Sequence, residues 1–589
     1  MCLSSNLEDR RDQTTRRMSQ RPQAWGIVLI CLVALGFFTI PAQARRAPQV
    51  LHKHVRPAVA NGQAARLSAM SHNQRMGLAI ILPLRNQSEL TSLLKRVYDP
   101  SSPDYRHFLT VAQFTERFGP TKLDYQAVVK FARSKGFSVT NAPANRMLVH
   151  IDGTVSQVNR AFHVTMMNYR HPTENRNVYS PDREPSLDLS VPVAHIAGMN
   201  NFSMPRPKFK RAPPNFRRNA VGSGPSGAYL GSDMRAAYYG GTALAGSGQA
   251  VGLLEFDGYN MSDVTASFAG QPNSVPIQNV LIDGAAAGSD GDDGEQVLDI
   301  VQAASMAPGL SQVRVYIAPG NSQIGVGDVD IFNQMAAENI AKQLSCSWGW
   351  NPDDTAQLDP IFQEFAAQGQ TLFVASGDAG AYTGSNPTDN SYPAESVYVV
   401  AVGGTDLTTN GTGGAWQSET AWADSSGGPA DDGFTIPSWQ AGVANSTNQA
   451  STSVRNVPDV AAEGNTDNFL CDQGSCTGDY GGTSFAAPRW AGFLALVNQQ
   501  SAANGGSSLG FINPAVYSIG GSANYNNVFH DITSGNNNNG KGQSYNAGVG
   551  YDLVTGWGSP NGQNLINALV GSSASASSRQ GGVSRPFGD

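Results

Sequence analysis

Short apolar runs alternate with longer stretches of helical periodicity through most of the chain. From about residue 220 to 570, Ala250–Phe256, Val313–Ile317, Lys342–Ser347, Thr371–Ala375 and Val397–Val402 are β-branched or apolar runs of strand length. Between them Glu295–Met306, Asp328–Glu338 and Leu358–Gln368 repeat their apolar positions every three to four residues. Strands that are apolar on both faces, separated by helices, predict a parallel sheet covered on both sides. Catalytic residues are then expected beyond the carboxyl ends of the strands. Residues 45–204 pattern differently. Met76–Leu84, Phe137–Thr140, Met147–Ile151 and His163–Tyr169 read as strands, and Glu89–Tyr98, Lys122–Lys135 and Val155–Phe162 as amphipathic helices. That mixture predicts a separate α+β sandwich. No nucleophile–base set or metal cluster is apparent in it.

The two ends are unlike the rest. Residues 24–40 are apolar almost throughout, follow an Arg-rich stretch, and precede Ala42-Gln43-Ala44, a small-x-small cleavage pattern. This reads as an export signal over residues 1–44, with Met18 as an alternative start and an uncleaved anchor as the rival reading. The expected location is extracellular, or periplasmic. Residues 571–589 are rich in Ser, Gly and Ala and read as a disordered tail. Residues 205–219 hold four prolines and six basic residues, a pattern for an exposed linker where cleavage separates two domains. A basic nucleic-acid patch would want interleaved aromatics or a recognition fold, and neither is present, so no nucleic-acid partner is expected. The expected division is therefore 1–44, 45–204, 205–219, 220–570 and 571–589, in a monomer.

Charge sharpens this division. The chain carries −7 overall, but residues 1–220 carry +18 and residues 221–589 carry −25. Opposite charges of that size attract the two parts at neutral pH, and protonating carboxylates weakens the attraction. An acidic working environment follows, although Lys-poor surfaces also simply suit secreted proteins. Of five cysteines, Cys2 and Cys31 fall in the signal segment and Cys346 reads as a buried thiol. Cys471 and Cys476 bracket a turn short enough for a local disulfide; no second pair or nearby histidine completes a zinc site.

The chemistry centres on Gly481-Gly482-Thr483-Ser484-Phe485-Ala486-Ala487-Pro488. The glycines permit a sharp turn, and a helix then begins near Ser484 with Pro488 in its first turn. Taken alone, a serine there is an N-cap. As a nucleophile it needs a base, and of nine histidines only His530 lies beyond residue 220. Either the serine is inert, His530 serves, or the base is not histidine. Glu295 and Asp299 lie four residues apart on one helix face and can serve as base and partner, titrating together. Taken alone they read as a solvated edge. Asp378 follows an apolar strand in Ser376-Gly377-Asp378-Ala379-Gly380, where a protonated carboxyl could donate to an oxyanion. By itself it reads as a turn residue.

These segments together resemble the sedolisin family of serine-carboxyl peptidases, with Gly-Thr-Ser-x-Ala-x-Pro, Glu-x-x-x-Asp and Ser-Gly-Asp as they stand here. Ser102–Thr110 resembles the signature of the pro-kumamolisin activation domain. The resemblance spans about 45–570. It implies a subtilisin-like parallel sheet preceded by a ferredoxin-like propeptide that acts as chaperone and intramolecular inhibitor. It places the nucleophile on Ser484, the base on Glu295, its partner on Asp299 and the oxyanion donor on Asp378. It also implies one calcium ion, carried by the side chains of Asp531 and Asp552 and the carbonyls of Ile532, Gly548 and Gly550. Spacing alone reads that segment equally as an Asx-rich loop. Two departures, Ser425-Ser426-Gly427-Gly428-Pro429 and the Cys471/Cys476 loop, bear on substrate preference. The expected protein is an acid-active, secreted, autoprocessed peptidase of proteins, endopeptidase or tripeptidyl-peptidase. Its rival is a non-catalytic binding protein on the same scaffold.

Overall fold

The computed structural model describes residues 48–577 apart from 214–220, 290, 321–325, 352–354, 383–391, 431–432 and 541. The export signal and the end of the tail lie outside the described residues. Among the described residues no helix is long and apolar enough to cross a membrane.

The large sheet runs in the order Ile277–Leu281, Gln312–Ala318, Ala250–Phe256, Gln343–Cys346, Thr371–Ala375 and Val400–Thr409, all parallel. Trp416–Ala421 adds an antiparallel edge, and Val460–Glu463 pairs in parallel with Val400–Thr409. Apolar residues alternate between the two faces, as the pleat requires. On Ala250–Phe256, Val251 and Leu253 join the core of helices Gly294–Met306 and Thr483–Ala503. Leu254 and Phe256 join that of Gly327–Glu338 and Thr355–Gln368. The expected doubly covered sheet is what forms. Short or partly polar strands escaped the apolar pattern: Ile277–Leu281, Trp416–Ala421 and Val460–Glu463. Helix Gly562–Ser577 also runs into the segment that composition marks as disordered.

The N-terminal domain has an antiparallel sheet ordered Ser138–Asn141, Leu148–Thr154, Arg75–Ile81 and His195–Ala197. With helices Lys122–Ser134 and Val155–Phe162 this is the ferredoxin-like βαββαβ arrangement. The strand expected at His163–Tyr169 exists as Met166–Arg170, but it pairs with Arg66–Ala69 and Asn177–Pro181 in a second sheet. The fourth place is taken by His195–Ala197, three residues long. So short a strand leaves no periodicity to read.

The two domains share a packed seam. Ala79, Ile81, Leu148 and Ala197 join the core of helices Gly327–Glu338 and Thr355–Gln368. The Phe108 ring, from the Ser102–Thr110 segment, lies over Gly369, where a β-carbon would come within 2.4 Å of it. The Leu109 amide donates to the Ala367 carbonyl at 2.9 Å. Asn145 donates to Asn333 at 2.8 Å and to Glu364 at 3.2 Å. His150 Nδ1 sits 2.8 Å from Asp330 and 3.7 Å from Asp283. Burial works against a charge on His150, but the two aspartates outweigh it and raise its pKa.

Phe332 meets Phe362 edge-on at 5.1 Å and Phe365 at 6.2 Å, locking two helices far from the serine. Phe332→Ala is expected to lower peptidase-domain stability by about 3–5 kcal/mol. A drop in the urea midpoint checks this.

Candidate active site

Ser484 lies in the first turn of helix Thr483–Ala503, whose N-cap is Gly482. Gly482 has φ +146°, and a β-carbon there would lie 2.2 Å from the Lys208 carbonyl oxygen and 2.7 Å from Asp378 Oδ2. Only glycine leaves that space open. Pro488 sits one turn deeper than expected, inside the helix. Its ring removes the amide that would pair with the Ser484 carbonyl. That carbonyl instead faces the Ser347 hydroxyl at 3.4 Å, which anchors the helix start to the neighbouring strand end. The Ser484 hydroxyl donates to the Ser347 carbonyl at 3.3 Å.

Glu295 and Asp299 are on helix Gly294–Met306, and both are buried rather than a solvated edge. Glu295 Oε2 accepts from the Lys208 amide at 3.1 Å, while Oε1 has no hydrogen-bond partner. The Ser347 hydroxyl lies 2.7 Å from Asp299 Oδ1. A third carboxylate, Glu255, was not anticipated. It is the single charge in the strand Ala250–Phe256, is fully buried, and accepts from the Trp348 indole at 3.1 Å. An isolated acid in an otherwise apolar strand was the available signal.

Burial pushes all three acids up. Asp299 reaches about 8, against hydrogen bonds from Ser347 and Glu255. Burial and then the Asp299 charge raise Glu255. Burial, then the charges of Asp299 and Glu255, raise Glu295, and the adjacent Ser484 hydroxyl opposes this. Such a group holds protons in common.

Asp378 follows the strand Thr371–Ala375. Its Oδ1 accepts from the Thr483 amide at 2.8 Å and the Thr483 hydroxyl at 2.9 Å; Oδ2 is buried without a partner. Burial raises its pKa to about 6, against the Thr483 hydrogen bonds and the charges of Lys210 and Lys208. Ser484, Glu295, Asp299 and Asp378 thus surround one point, near the carboxyl ends of the sheet strands. His530 instead stacks on Trp416 at 3.9 Å, and burial lowers its pKa to about 4.

The linker is not free. Arg206–Pro207 pairs antiparallel with Trp348–Gly349, and Lys210–Arg211 with Tyr480–Gly481, so the chain passes over Ser484. This corrects the reading of an exposed segment; residues 214–220 lie outside the described residues.

Residues 62–202 match the family described as pro-kumamolisin, activation domain, and residues 284–509 the subtilase family. Kumamolisin of Bacillus sp. strain MN-32 is 31% identical over 567 residues, covering 91% of this chain and 99% of that protein. This chain belongs to the sedolisin family. Sedolisin of Pseudomonas sp. strain 101 is likewise 31% identical, over 89% of this chain and 92% of its own. The solved structure of Pseudomonas sedolisin, a serine-carboxyl proteinase with two molecules of pseudo-iodotyrostatin, matches at a TM-score of 0.52 and 30% identity. It covers 60% of this chain and 100% of that one. The protein is a serine-type peptidase with an N-terminal activation domain.

Asp531 and Asp552 lie on neighbouring loops. The Gly550 amide donates to Asp531 at 3.1 Å, and the Gly548 amide to Asp552 at 3.1 Å. Asp552 is buried, and burial raises it to about 7. Asp552 is buried and Asp531 half-buried, and two neighbouring acids that offer only oxygen ligands fit a hard cation. The three-residue group with ligand atoms within 4.8 Å of one another lies elsewhere, at His150, Asp283 and Asp330. Cys471 and Cys476 form a disulfide, and Cys346 is a buried thiol.

The buried acids make a pH prediction. Their folded pKa values lie above the unfolded carboxyl range of ~4. Their stabilisation is therefore complete below pH ~4 and is lost as pH rises through their folded values, about 8 for Asp299. In a Ser484→Ala background the melting temperature should fall between pH 5 and 8. Adding Asp299→Asn should flatten that fall; an unchanged slope counts against the assignment.

Proposed function

We propose that this enzyme is a secreted, acid-active peptidase that cleaves proteins through Ser484, Glu295 and Asp299. The observation that carries the reading is the convergence on Ser484 of a buried carboxylate pair on one side and an unpartnered carboxyl oxygen on the other. No histidine of the described residues competes for the place beside Glu295. In the form in which the shared protons rest on Asp299 and Glu255 and the charge on Glu295, Glu295 takes the Ser484 proton as the hydroxyl attacks a peptide carbonyl carbon. The Ser484 amide, at a helix start, and the protonated Asp378 donate to the oxyanion. Glu295 then protonates the departing amine, and water reverses the sequence to release the acid product. Asp299 positions Glu295 and stabilises its charge, and Glu255 sets the field around both. The N-terminal domain holds the site closed until it is cut away. Calcium is proposed at Asp531 and Asp552 with the carbonyls of Ile532, Gly548 and Gly550, where it would tie together two loops.

Ser484→Ala and Glu295→Gln should each lower kcat on a denatured protein substrate by at least about a thousandfold. Wild-type activity should fade as pH rises out of the acid range and Asp378, held by burial above the usual carboxyl range, loses its proton. Asp378→Asn keeps a neutral donor and should move that limb to higher pH. An enzyme most active at pH 8, or one abolished by His530→Ala and not by Glu295→Gln, overturns the mechanism. For the metal, a chelator should lower the melting temperature of the wild type and leave Asp552→Asn unmoved.

A further inference from the structure

The linker is not merely close to Ser484. It lies across the site as a substrate would, and one of its bonds is singled out. The Lys208 carbonyl accepts from the Ser484 amide at 3.0 Å. The same oxygen faces Gly482 together with Asp378 Oδ2, the buried oxygen with no partner. The Lys208 carbonyl oxygen therefore occupies the place where the proposed mechanism puts the oxyanion. On the other side of the residue, the Lys208 amide donates to the Ser347 carbonyl at 3.0 Å and to Glu295 at 3.1 Å. Residues before this carbonyl pair antiparallel with Trp348–Gly349, and residues after it pair antiparallel with Tyr480–Gly481. The chain is thus held as an extended strand on both sides of a single peptide bond, by main-chain hydrogen bonds that do not depend on side chains.

We propose that Lys208–Phe209 is the bond that the enzyme cuts first in its own chain, and that its downstream subsites select basic residues. The proposal rests on the catalytic reading of Ser484 given above. Ser484 Oγ bonds to the Lys208 carbonyl carbon, and its proton passes to Glu295. The Lys208–Phe209 C–N bond breaks, and Glu295 returns the proton to the Phe209 nitrogen. Water then hydrolyses the ester, leaving Lys208 as a carboxylate and Phe209 as a new N-terminus.

The downstream side chains meet defined surfaces. The Phe209 ring packs on Tyr480 at 6.1 Å and against Gly294, where a β-carbon would approach it to 2.8 Å. Lys210 reaches Asp424 at 2.5 Å and lies 5.0 Å above the Trp422 ring. Arg211 reaches Asp479 at 3.0 Å and lies 5.6 Å from the Tyr480 ring centre. Each base therefore has both a carboxylate and an aromatic face, and the latter keeps its attraction in acid. Upstream, Arg206 pairs with Glu174 of the N-terminal domain at 2.8 Å, so that position belongs to the intact chain alone.

The test follows the purified full-length protein at about pH 4, by intact mass and N-terminal sequencing over time. The earliest large fragment should begin at Phe209, and its rate of appearance should not change over a tenfold range of protein concentration. Later trimming toward residue 220 does not alter the first product. An earliest fragment beginning elsewhere, from an enzyme that hydrolyses added protein through Ser484, overturns this inference and leaves the catalytic reading standing. Absence of Ser484-dependent hydrolysis of any substrate overturns both. A second measurement does not depend on a folded variant. A synthetic peptide matching residues 205–212 should be cut by the matured enzyme between Lys208 and Phe209. The peptide carrying Lys210→Ser and Arg211→Ser should show kcat/KM reduced about tenfold or more. Equal turnover of the two peptides overturns the selection of basic residues.

Discussion

Three carboxyl groups sunk between a parallel sheet and its covering helices are the constraint on which this structure turns. A charged carboxylate has no partner in an apolar core and gives up its charge instead. Glu255, Asp299 and Glu295 therefore keep protons that exposed acids would lose. The fold has to supply the burial, and it does so by close packing: helix Gly294–Met306 meets helix Thr483–Ala503 at Gly492, where a β-carbon would lie 3.0 Å from the Ala303 carbonyl. Bringing the helices together brings Glu295 to Ser484. The same packing excludes water from the serine and sets the pH range over which the acids can act.

Much of this frame was legible in the chain. Strands buried on both faces are apolar throughout, so their positions survive in a single sequence; Ala250–Phe256 and Thr371–Ala375 were readable to the residue. What escaped was placed by partners distant in sequence. His195–Ala197 is a strand only because Arg75–Ile81 has a free edge. Pro488 looked like a first-turn residue because helix starts are read from capping patterns, and Gly482 offers no side chain to cap with. Glu295 and Asp299 were legible as a spaced pair, but the spacing fits a solvated edge equally well. Only the apolar neighbours and the lack of histidines favoured burial. Glu255 carried a signal, one charge in an apolar strand, that no motif pointed to.

The charge division between the halves also takes a more specific form than a general attraction. The N-terminal domain holds to the peptidase mainly through apolar packing and neutral hydrogen bonds, such as Phe108 over Gly369 and Asn145 to Asn333 and Glu364. His150 adds a charged contact to Asp330 at the seam. The linker's bases are paired at the active-site cleft itself, Lys210 with Asp424 and Arg211 with Asp479. Opposite charge is thus used to set the register of one strand over Ser484.

This arrangement explains how a chain can carry a substrate-like strand in its own site and remain whole. Above about pH 6 Asp378 is ionised, and its unpartnered oxygen turns a negative charge toward the Lys208 carbonyl. A developing oxyanion there would meet repulsion in place of a hydrogen bond. Acid reverses the sign of that one contact: the proton added to Asp378 becomes a second donor to the carbonyl, beside the Ser484 amide. On the proposed mechanism, latency needs no displaced residue and no distorted site. It needs only a buried carboxyl whose proton is absent until the surroundings supply it.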